Sequence, residues 1–598
     1  MPAPKKSAKK AATQTRKRAT TRSRVSLIRP VWSTACPDWQ ERIVLGKPLT
    51  PCAPLFHTSA AAGMAVFNEL EIVDAGVKFG DSLPWILEFA SAIFGSYCDV
   101  PGHPDEGRRL IKTFFMLISK KNTKSTIAGG IMLTILIQNW RKRAEYLILS
   151  PTKEVADNSY KVIEAAIDAD EELKELFHVQ AHERKITHRV TKATLKVVAS
   201  DSQTVSGKKA TGVLVDELHE FGKVAKAEDM LVEATGGLMS RPEGFVIYLT
   251  TQSSEPPAGV FKKELDYARQ VRDGKIDDPS YMPIIYEFPD EYLDPQTRPY
   301  LLEKNWYMVN PNLNVSVDLD TLRQKIAKAG VSGEDSLQSV VSKHLNIQIG
   351  LDLGADAWPA AQFWIQNKVK HIATLQQLMD ECEVITCGID GGGLDDLLAL
   401  TFTGRVKGTV DHYLSWSRAW AGISVRDRRK EIVPRLDDFK KQGDIVFIET
   451  PGEDAAELAD LVKVVFDSDL LAGIGIDPSR IAALKRCLAD RGIIDEEEPD
   501  PKFFVKVRQG WSLYSAMLWM ERALQENRYQ FADQPIVDWS VGNAKVVARG
   551  NAMLVTKEIS GKAKIDLVMS SLNAAELMSY NPPARTGGYS LDNLTLMG

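Results

Sequence analysis

Two groups of acidic residues in this 598-residue chain stand where carboxylates do chemistry. The first is Asp216–Glu217, which closes the apolar run TGVLVDE at 211–217. Two acids at the C-terminal end of a buried strand can divide the hydrolysis of a phosphoanhydride between them. One holds Mg2+, and the other orients and polarises the attacking water. Upstream, FFMLISKKNTKST (114–126) reads as a strand, a tight turn and the start of a helix. A turn of that kind presents backbone N–H groups and a helix N-terminus to phosphate oxygens. Lys124 would reach the β- and γ-phosphates, and the Ser125 hydroxyl would bind Mg2+. The two-glycine form of such loops is not met, because Ile118 and Thr123 occupy the glycine positions. A further strand, VIYLTTQSS (246–254), ends in Thr250–Thr251, whose hydroxyls can sense the γ-phosphate and relay its loss to a moving lid. Singly, each piece has a plainer explanation: a basic turn capping a helix, a solvated acid pair, the β-propensity of threonine. Together they point to ATP hydrolysis, since the C-terminal edge of a parallel sheet is where such folds bind ligands.

The second group is scattered. Asp390 ends the strand EVITCGID (383–390) and is followed by the glycine-rich bend and second strand GGGLDDLLALTFTGR. Asp477 ends the apolar strand AGIGID (472–477), Asp566 sits on the first turn of an apolar helix, and Asp396 lies across the glycine bend from Asp390. Three or four carboxylates gathered round two Mg2+ or Mn2+ ions can hydrolyse a phosphodiester, one ion activating water and the other stabilising the leaving 3′ oxygen. Hard oxygen ligands suit those ions, so such a site contains Asp or Glu and no Cys. Asp477 could instead cap a helix, and Asp566 could complement a helix dipole. Glu449 competes for the middle position, but Asp477 ends the more apolar strand.

Elements able to position these residues are legible as runs. The apolar stretches 114–119, 145–150, 194–200, 211–217 and 244–251 read as buried parallel strands, with helices at 125–139 and 153–167 between them. A second α/β pattern begins at 383, with strands near 398–404, 410–417, 444–449 and 472–477 and a helix at 511–526. The fold class is α/β: a P-loop NTPase-type doubly wound parallel sheet followed by a ribonuclease-H-like α/β nuclease domain. The predicted segments are a basic disordered tail (1–24), a lead-in (25–80), an ATPase core (81–255), a lid and linker (256–380) and the nuclease domain (381–598).

Composition narrows the class. The chain is too long for one core. Its first 24 residues hold nine Lys or Arg and no acid, so the rest is more acidic than the overall −5. A basic tail on an acidic body suits local contact with nucleic acid. Six sparse cysteines with no completing histidines read as reduced thiols. No apolar run is long enough to span a bilayer, and no membrane association is expected.

The turn SKKNTKS at 119–125, the run DELHEF at 216–221 and the Thr-Thr strand end resemble the ATPase half of tailed-bacteriophage terminase large subunits. The second half resembles the same family in its order of parts. It has an acid-bearing strand, Thr450-Pro451-Gly452, a strand ending in Asp477-Pro478, Gly510 before a long helix, Trp539 and Asn543, and then Lys564 and Asp566. The resemblance spans about residues 80–580. It implies an ATP site of Lys120, Asn122, Lys124, Ser125, Asp216, Thr250 and Thr251, with Mg2+ on Ser125 and Asp216 and Glu217 as the catalytic carboxylate. Lys120 stands where the family often has arginine, and a lysine cannot make that bidentate fork. Trp85, Arg108 and Arg109 are expected on adenine or phosphate. Nuclease ions, Mg2+ or Mn2+, fall to Asp390, Asp396, Asp477 and Asp566. The implied activity is ATP-driven translocation of double-stranded viral DNA into the procapsid, with cutting of concatemeric DNA. The implied partners are duplex DNA, a small terminase subunit, the portal protein and further copies in a ring. The implied place is the host cytoplasm, docked transiently on the procapsid. Other classes remain: an ATP-dependent helicase or translocase fused to a nuclease, a ribonuclease-H-like recombinase, or a non-enzymatic DNA-binding scaffold.

Overall fold

A computed structural model describes residues 29–199, 209–224, 227–294, 297–349, 358–393, 396–430, 432–477, 481–549, 552–556 and 564–584. The basic stretch 1–24 lies outside the described residues.

The run Phe114–Leu117 is buried on both sides, which demands helices on both faces of its sheet. That sheet has eight strands: β1 (Thr113–Leu117), β2 (Glu145–Ser150), β3 (Phe177–Gln180), β4 (Lys185–His188), β5 (Thr194–Ala199), β6 (Ala210–Asp216), β7 (Phe245–Thr250) and β8 (Tyr281–Ile285). Their order is β8-β1-β7-β6-β2-β5-β4-β3. The six from β8 to β5 run parallel, and β4 and β3 continue antiparallel. The strand leading into the Lys124 turn and the strand carrying Asp216 are thus separated by β7 alone, which ends in Thr250.

Helix α1 (Lys124–Ile137) is apolar almost all round, and most of it is buried. It is sandwiched between the sheet and the lead-in segment, whose Phe67 and Phe79 share its core cluster. Gly130 explains itself there: a Cβ would sit 2.6 Å from the Phe79 ring, so close packing overrides the poor helix propensity of glycine. Helix α2 (Lys153–Ala169) packs beside α1. The opposite face is covered by α3 (Gly259–Arg272).

The boundary predicted at residue 255 falls inside this unit. Both α3 and β8 belong to it, and β8 pairs with β1 along its whole length. The segment read as a lid contains a helical hairpin, α4 (Leu319–Val331) and α5 (Glu334–Leu345), whose Leu322, Ile326, Val341 and Leu345 join the same core as β1.

The second unit is a mixed sheet. Its strands are β9 (Lys368–Val369), β10 (Cys382–Gly393), β11 (Asp396–Val406), β12 (Tyr413–Gly422), β13 (Ile445–Ile448), β14 (Leu471–Ile476), β15 (Phe504–Lys506) and β16 (Tyr529–Ala532). The order is β9-β16-β12-β11-β10-β14-β15, with β13 also on β12. Strands β10, β11 and β12 are antiparallel neighbours, and β14 runs parallel to β10. This central arrangement begins with the two strands expected on either side of the glycine-rich stretch. Helices α6 (Val433–Gln442) and α7 (Pro535–Asn543) lie at its side, and α8 (Asp566–Ser579) crosses β10, β11 and β14. The units meet where the Gly259 N–H donates to Asp438 Oδ2 at 2.9 Å and Lys441 faces Glu228 at 3.4 Å.

Candidate active sites

The turn from β1 into α1 is strained in a useful way. Lys121 and Thr123 both have positive φ, +75° and +58°, which costs about 1–2 kcal/mol for a residue with a Cβ. The left-handed step at Thr123 starts α1 at Lys124. Lys124 Nζ then lies 2.7 Å from Glu217 Oε1, and the Ser125 hydroxyl donates to Asp216 Oδ2 at 3.1 Å. Ser159 of α2 donates to the same Asp216 oxygen at 2.8 Å. Asp216 Oδ1 is buried without a hydrogen-bond partner, as are the hydroxyls of Ser119, Ser150 and Thr251. Buried polar atoms are rarely left so, and hard oxygens at a strand's end fit a hydrated divalent cation and phosphate.

Glu217 itself has φ +56°. His219 Nδ1 lies 3.3 Å from its other oxygen, Oε2, which has no hydrogen-bond partner, while His219 Nε2 lies 3.1 Å from Glu220 Oε1. The His219 N–H donates to Thr250 Oγ1 at 3.0 Å, so the Thr250 strand end is wired to the segment carrying Glu217. Burial pushes the Glu217 carboxyl up, but Lys124 and His219 beside it bring it below the usual range. Burial and the adjoining Glu217 charge raise Asp216. The hydrogen bond from His219 brings Glu220 down to about 2. Lys120 is half-buried, and burial lowers its ammonium. Burial and then Lys325, Lys120, Lys343 and Lys121 push His344 to about 4, a sign of the positive field a polyphosphate would meet.

At the second site the strands do the collecting. Gly388 and Asp390 lie on one face of β10, and a Cβ on Gly388 would sit 2.0 Å from the Ser570 carbonyl oxygen of α8. Cys387 and Ile389 point into the core on the other side. On β14, Ile474 and Ile476 share that other core, whereas Gly475 abuts Asn573 of α8. Ile389 pairs with Ile476, so Asp390 and Asp477 follow side by side, both on the face that α8 covers. Asp566 opens α8, and its Oδ1 would lie 3.0 Å from a Cβ on Gly391. Asp390 is 5% exposed and Asp566 1%, while Asp477 is half-buried. Among the described residues, no three acid, histidine or cysteine side chains are already grouped about one ion position. The three acids therefore share a sheet end without forming a closed cage. All-oxygen donors there suit Mg2+ or Mn2+, and the helix dipole favours the charge on Asp566.

The match to family models is decisive. Residues 89–270 match the terminase large subunit ATPase domain, and residues 275–579, more than half the chain, match the terminase large subunit endonuclease domain. The chain belongs to the terminase large subunits. Among solved structures it is similar to the HK97 bacteriophage large terminase, with 17% identity, 86% of this chain and 99% of that chain covered, and a TM-score of 0.44. It is also similar to the large terminase of a thermophilic bacteriophage solved in complex with ADP, with 12% identity, coverage of 80% and 95%, and a TM-score of 0.28. The large terminase nuclease of thermophilic phage G20c matches at 11% identity over 32% of this chain and 81% of that one, with a TM-score of 0.22. No curated protein matches. This terminase large subunit is thus an ATPase and an endonuclease of phage DNA packaging, using nucleotide and divalent metal. Among its described residues no helix is long and apolar enough to cross a membrane.

The other predicted contacts of the terminase fall as follows. Asn122 is fully buried and its side chain is spent on structure. Its amide donates to Ser119 O and Asn310 Oδ1 at 3.0 and 2.9 Å, and its oxygen accepts from the Asn312 N–H at 3.0 Å. Arg109 lies at the N-terminal edge of the sheet, at the other end of β1 from the Lys124 turn, bonded to Ile93 O, Ser96 Oγ and Glu243 O. Arg108 beside it is exposed. The Trp85 indole N–H donates to Asn312 Oδ1 at 2.8 Å, and the ring lines a cavity of about 330 Å³ with Tyr286, Tyr307 and Pro311. Asp396 opens β11, and its Oδ1 accepts from Lys564 Nζ, two residues before Asp566, at 2.7 Å. Glu449 follows β13, three strands from β10, and is exposed. His219, Ser159, Asn310 and Asn312 were not read from sequence. The histidine two positions past Glu217 was the one visible signal.

Proposed function

We propose that Lys124 and Ser125 hold the phosphates and their cation, that Asp216 completes the cation's site, and that Glu217 orients the attacking water. The carrying observation is the pairing of the two loop residues with the two acids, 2.7 Å for Lys124–Glu217 and 3.1 Å for Ser125–Asp216. Before ATP enters, Lys124 and Glu217 neutralise each other. Phosphates draw Lys124 away and leave Glu217 with both oxygens for water, so activation of water follows binding. Thr250, bonded to the backbone of His219, passes the state of Glu217 along β7, and Thr251 offers its hydroxyl to the terminal phosphate. Lys120 adds positive charge opposite Glu217. The base lodges in the cavity lined by Trp85, Tyr286 and Tyr307.

Asp390, Asp477 and Asp566 hold the nuclease ions, with Lys564 anchoring Asp396 beside them. Bound Mg2+ or Mn2+ supplies Lewis acidity at both sites and lowers the pKa of a coordinated water. DNA would be duplex and gripped largely through phosphates. A small terminase subunit, the portal and a ring of copies are the partners this reading carries, in the cytoplasm of the host. The test is a crossed pair. Lys124→Ala is expected to lose ATP hydrolysis and keep Mn2+-dependent cutting, and Asp390→Ala the reverse. Loss of both activities in either variant refutes the separate assignment.

A further inference from the structure

Away from both acid sites, the ATPase unit holds a cavity of about 420 Å³ at the opposite end of its sheet, where β2, β6 and β7 begin. Five aromatic rings line it: Phe94, Tyr97, Trp140, Tyr146 and Phe245. The volume falls in the range of small-molecule sites, and walls of flat rings receive another flat ring by stacking. Thr211, the second residue of β6, also lines the cavity at 1% exposure, and its hydroxyl has no hydrogen-bond partner. A buried hydroxyl left this way forfeits its hydration with nothing in return, so the site calls for a polar atom brought by an occupant. Asp216 closes the same strand five residues on, which sets the cavity apart from the phosphate loop by roughly 16 Å of strand.

Charge divides the occupant into two parts. Inside, the ions are already met. Arg109 lies 5.1 Å from the centroid of the Phe245 ring and donates to the Ile93 and Glu243 carbonyls, while Arg141 pairs with the Glu243 carboxylate. Asp99 accepts from the Thr58 hydroxyl at 2.7 Å. With these charges balanced, the interior suits an uncharged ring with a hydrogen-bonding edge. At the mouth the balance reverses. Trp140 is 58% exposed, with the Arg141 guanidinium 4.9 Å from its ring centroid. Lys142 and Arg143 follow in the chain, and the Arg143 N–H donates to the Thr191 carbonyl at 2.8 Å, which brings Lys192 of the next turn alongside. Lys142, Arg143 and Lys192 are exposed, and none has an ion pair among the described residues.

We propose that this cavity is a second nucleotide site, separate from the one at Lys124. It takes the base of a nucleoside phosphate among its aromatic rings, meets the edge of the base with the Thr211 hydroxyl, and holds the phosphate on Lys142, Arg143 and Lys192.

The full chain and its Lys124→Ala variant are titrated with AMP, adenosine and tripolyphosphate in EDTA, which keeps metal-bound phosphates off the catalytic loop. Both chains are expected to bind AMP equally. Trp140→Ala, a change to an exposed ring, should weaken AMP about tenfold through lost stacking on the base. Thr211→Val keeps the shape and deletes the hydroxyl, and should weaken AMP and adenosine alike by about fivefold. Lys142→Glu with Arg143→Glu should bring AMP down to the affinity of adenosine and leave adenosine unchanged. The proposal is overturned if AMP does not bind, or if a folded Trp140→Ala or Thr211→Val chain binds it as the parent does. It is also overturned if tripolyphosphate displaces AMP while adenosine does not bind, because the cations then form a polyanion surface beside an empty cavity. AMP binding that is lost in Lys124→Ala and untouched by Trp140→Ala places the nucleotide at the catalytic loop, and only the Lys124 reading then stands.

Discussion

The two acid sites of this terminase balance their charge in opposite ways. Around Glu217 the chain supplies its own cation, Lys124 at 2.7 Å. Around Asp390, Asp477 and Asp566 the chain supplies a shared face and a helix N-terminus, while the lysine at hand, Lys564, is turned to Asp396. In the proposed reading the first site works by exchange: phosphate takes Lys124 and releases Glu217. The second works by completion, with acids brought to one sheet end and an ion to draw them together. A motor that must wait for ATP and a nuclease that must wait for metal are thus held in check by different electrostatics.

The largest effects test that separation. Glu217→Gln should lower the rate of ATP hydrolysis by about a thousandfold, the scale of losing a positioned base, without weakening ATP binding. Phosphate release and nucleotide titration read the two quantities, and Mn2+-dependent cutting of linear DNA should be unchanged. Asp390→Ala should reduce cutting by a similar factor and leave phosphate release alone. If cutting falls with Glu217→Gln, the sites are not separate and the comparison fails.

Stability should split the sites as well. Glu217→Ala leaves the Lys124 ammonium, 9% exposed, without its counter-charge, a change of about 3 kcal/mol for a buried pair broken on one side. Asp390→Asn removes a carboxylate whose charge the proposed ions would meet, so melting in EDTA should occur close to the parent temperature. A lower melting point for Asp390→Asn would show that its charge is already balanced within the chain.

A buried acid of the second unit extends the contrast. Asp444 is pushed up to about 6 by burial, although Gln534 and the Ile536 N–H donate to it. A carboxyl raised above its unfolded value contributes stability that is full below about pH 4 and lost as pH rises through about 6. Unfolding of the nuclease unit should therefore become easier across that window, by about 2–3 kcal/mol in all, and Asp444→Asn should flatten the slope. A slope that survives the substitution assigns it to other groups.

What was legible in the sequence follows from how local each feature is. Strands such as Glu145–Ser150 and the turn before Lys124 announce themselves through apolar runs and a basic break. The acids at 390, 477 and 566 could be proposed because each ends or begins an apolar element, and alternation then fixes their face. What stayed hidden depends on contacts across the chain. Asn122 looked like a phosphate ligand because nothing near it in sequence reveals Asn310 and Asn312, which are 188 and 190 residues away. Strand β8 was read as linker because Tyr281–Ile285 is short and contains Pro283, which an edge position tolerates. Asp396 was read as a metal ligand from its spacing, but its ion pair with Lys564, 168 residues away, gave no local sign.

The smallest and most local test concerns what holds the strained loop. Asn312 donates to Thr123 Oγ1 at 3.0 Å and Ser316 Oγ at 3.1 Å, and accepts from Trp85. Thr123 is β-branched at φ +58°, a conformation its own side chain opposes, so the bond from Asn312 is what offsets the strain. Asn312→Ala should raise the KM for ATP about tenfold, the cost of roughly one buried hydrogen bond and its orphaned partners, with kcat changed less and DNA cutting not at all. Thr123→Gly removes both the strain and the hydroxyl, so alone it should nearly cancel, within about 1 kcal/mol. In that background Asn312→Ala should cost less than it does in the parent, because one of its bonds no longer exists. Equal costs in the two backgrounds would mean that Asn312 acts through Trp85 or Ser316, and the loop would then be held from the lid side rather than at the strained residue.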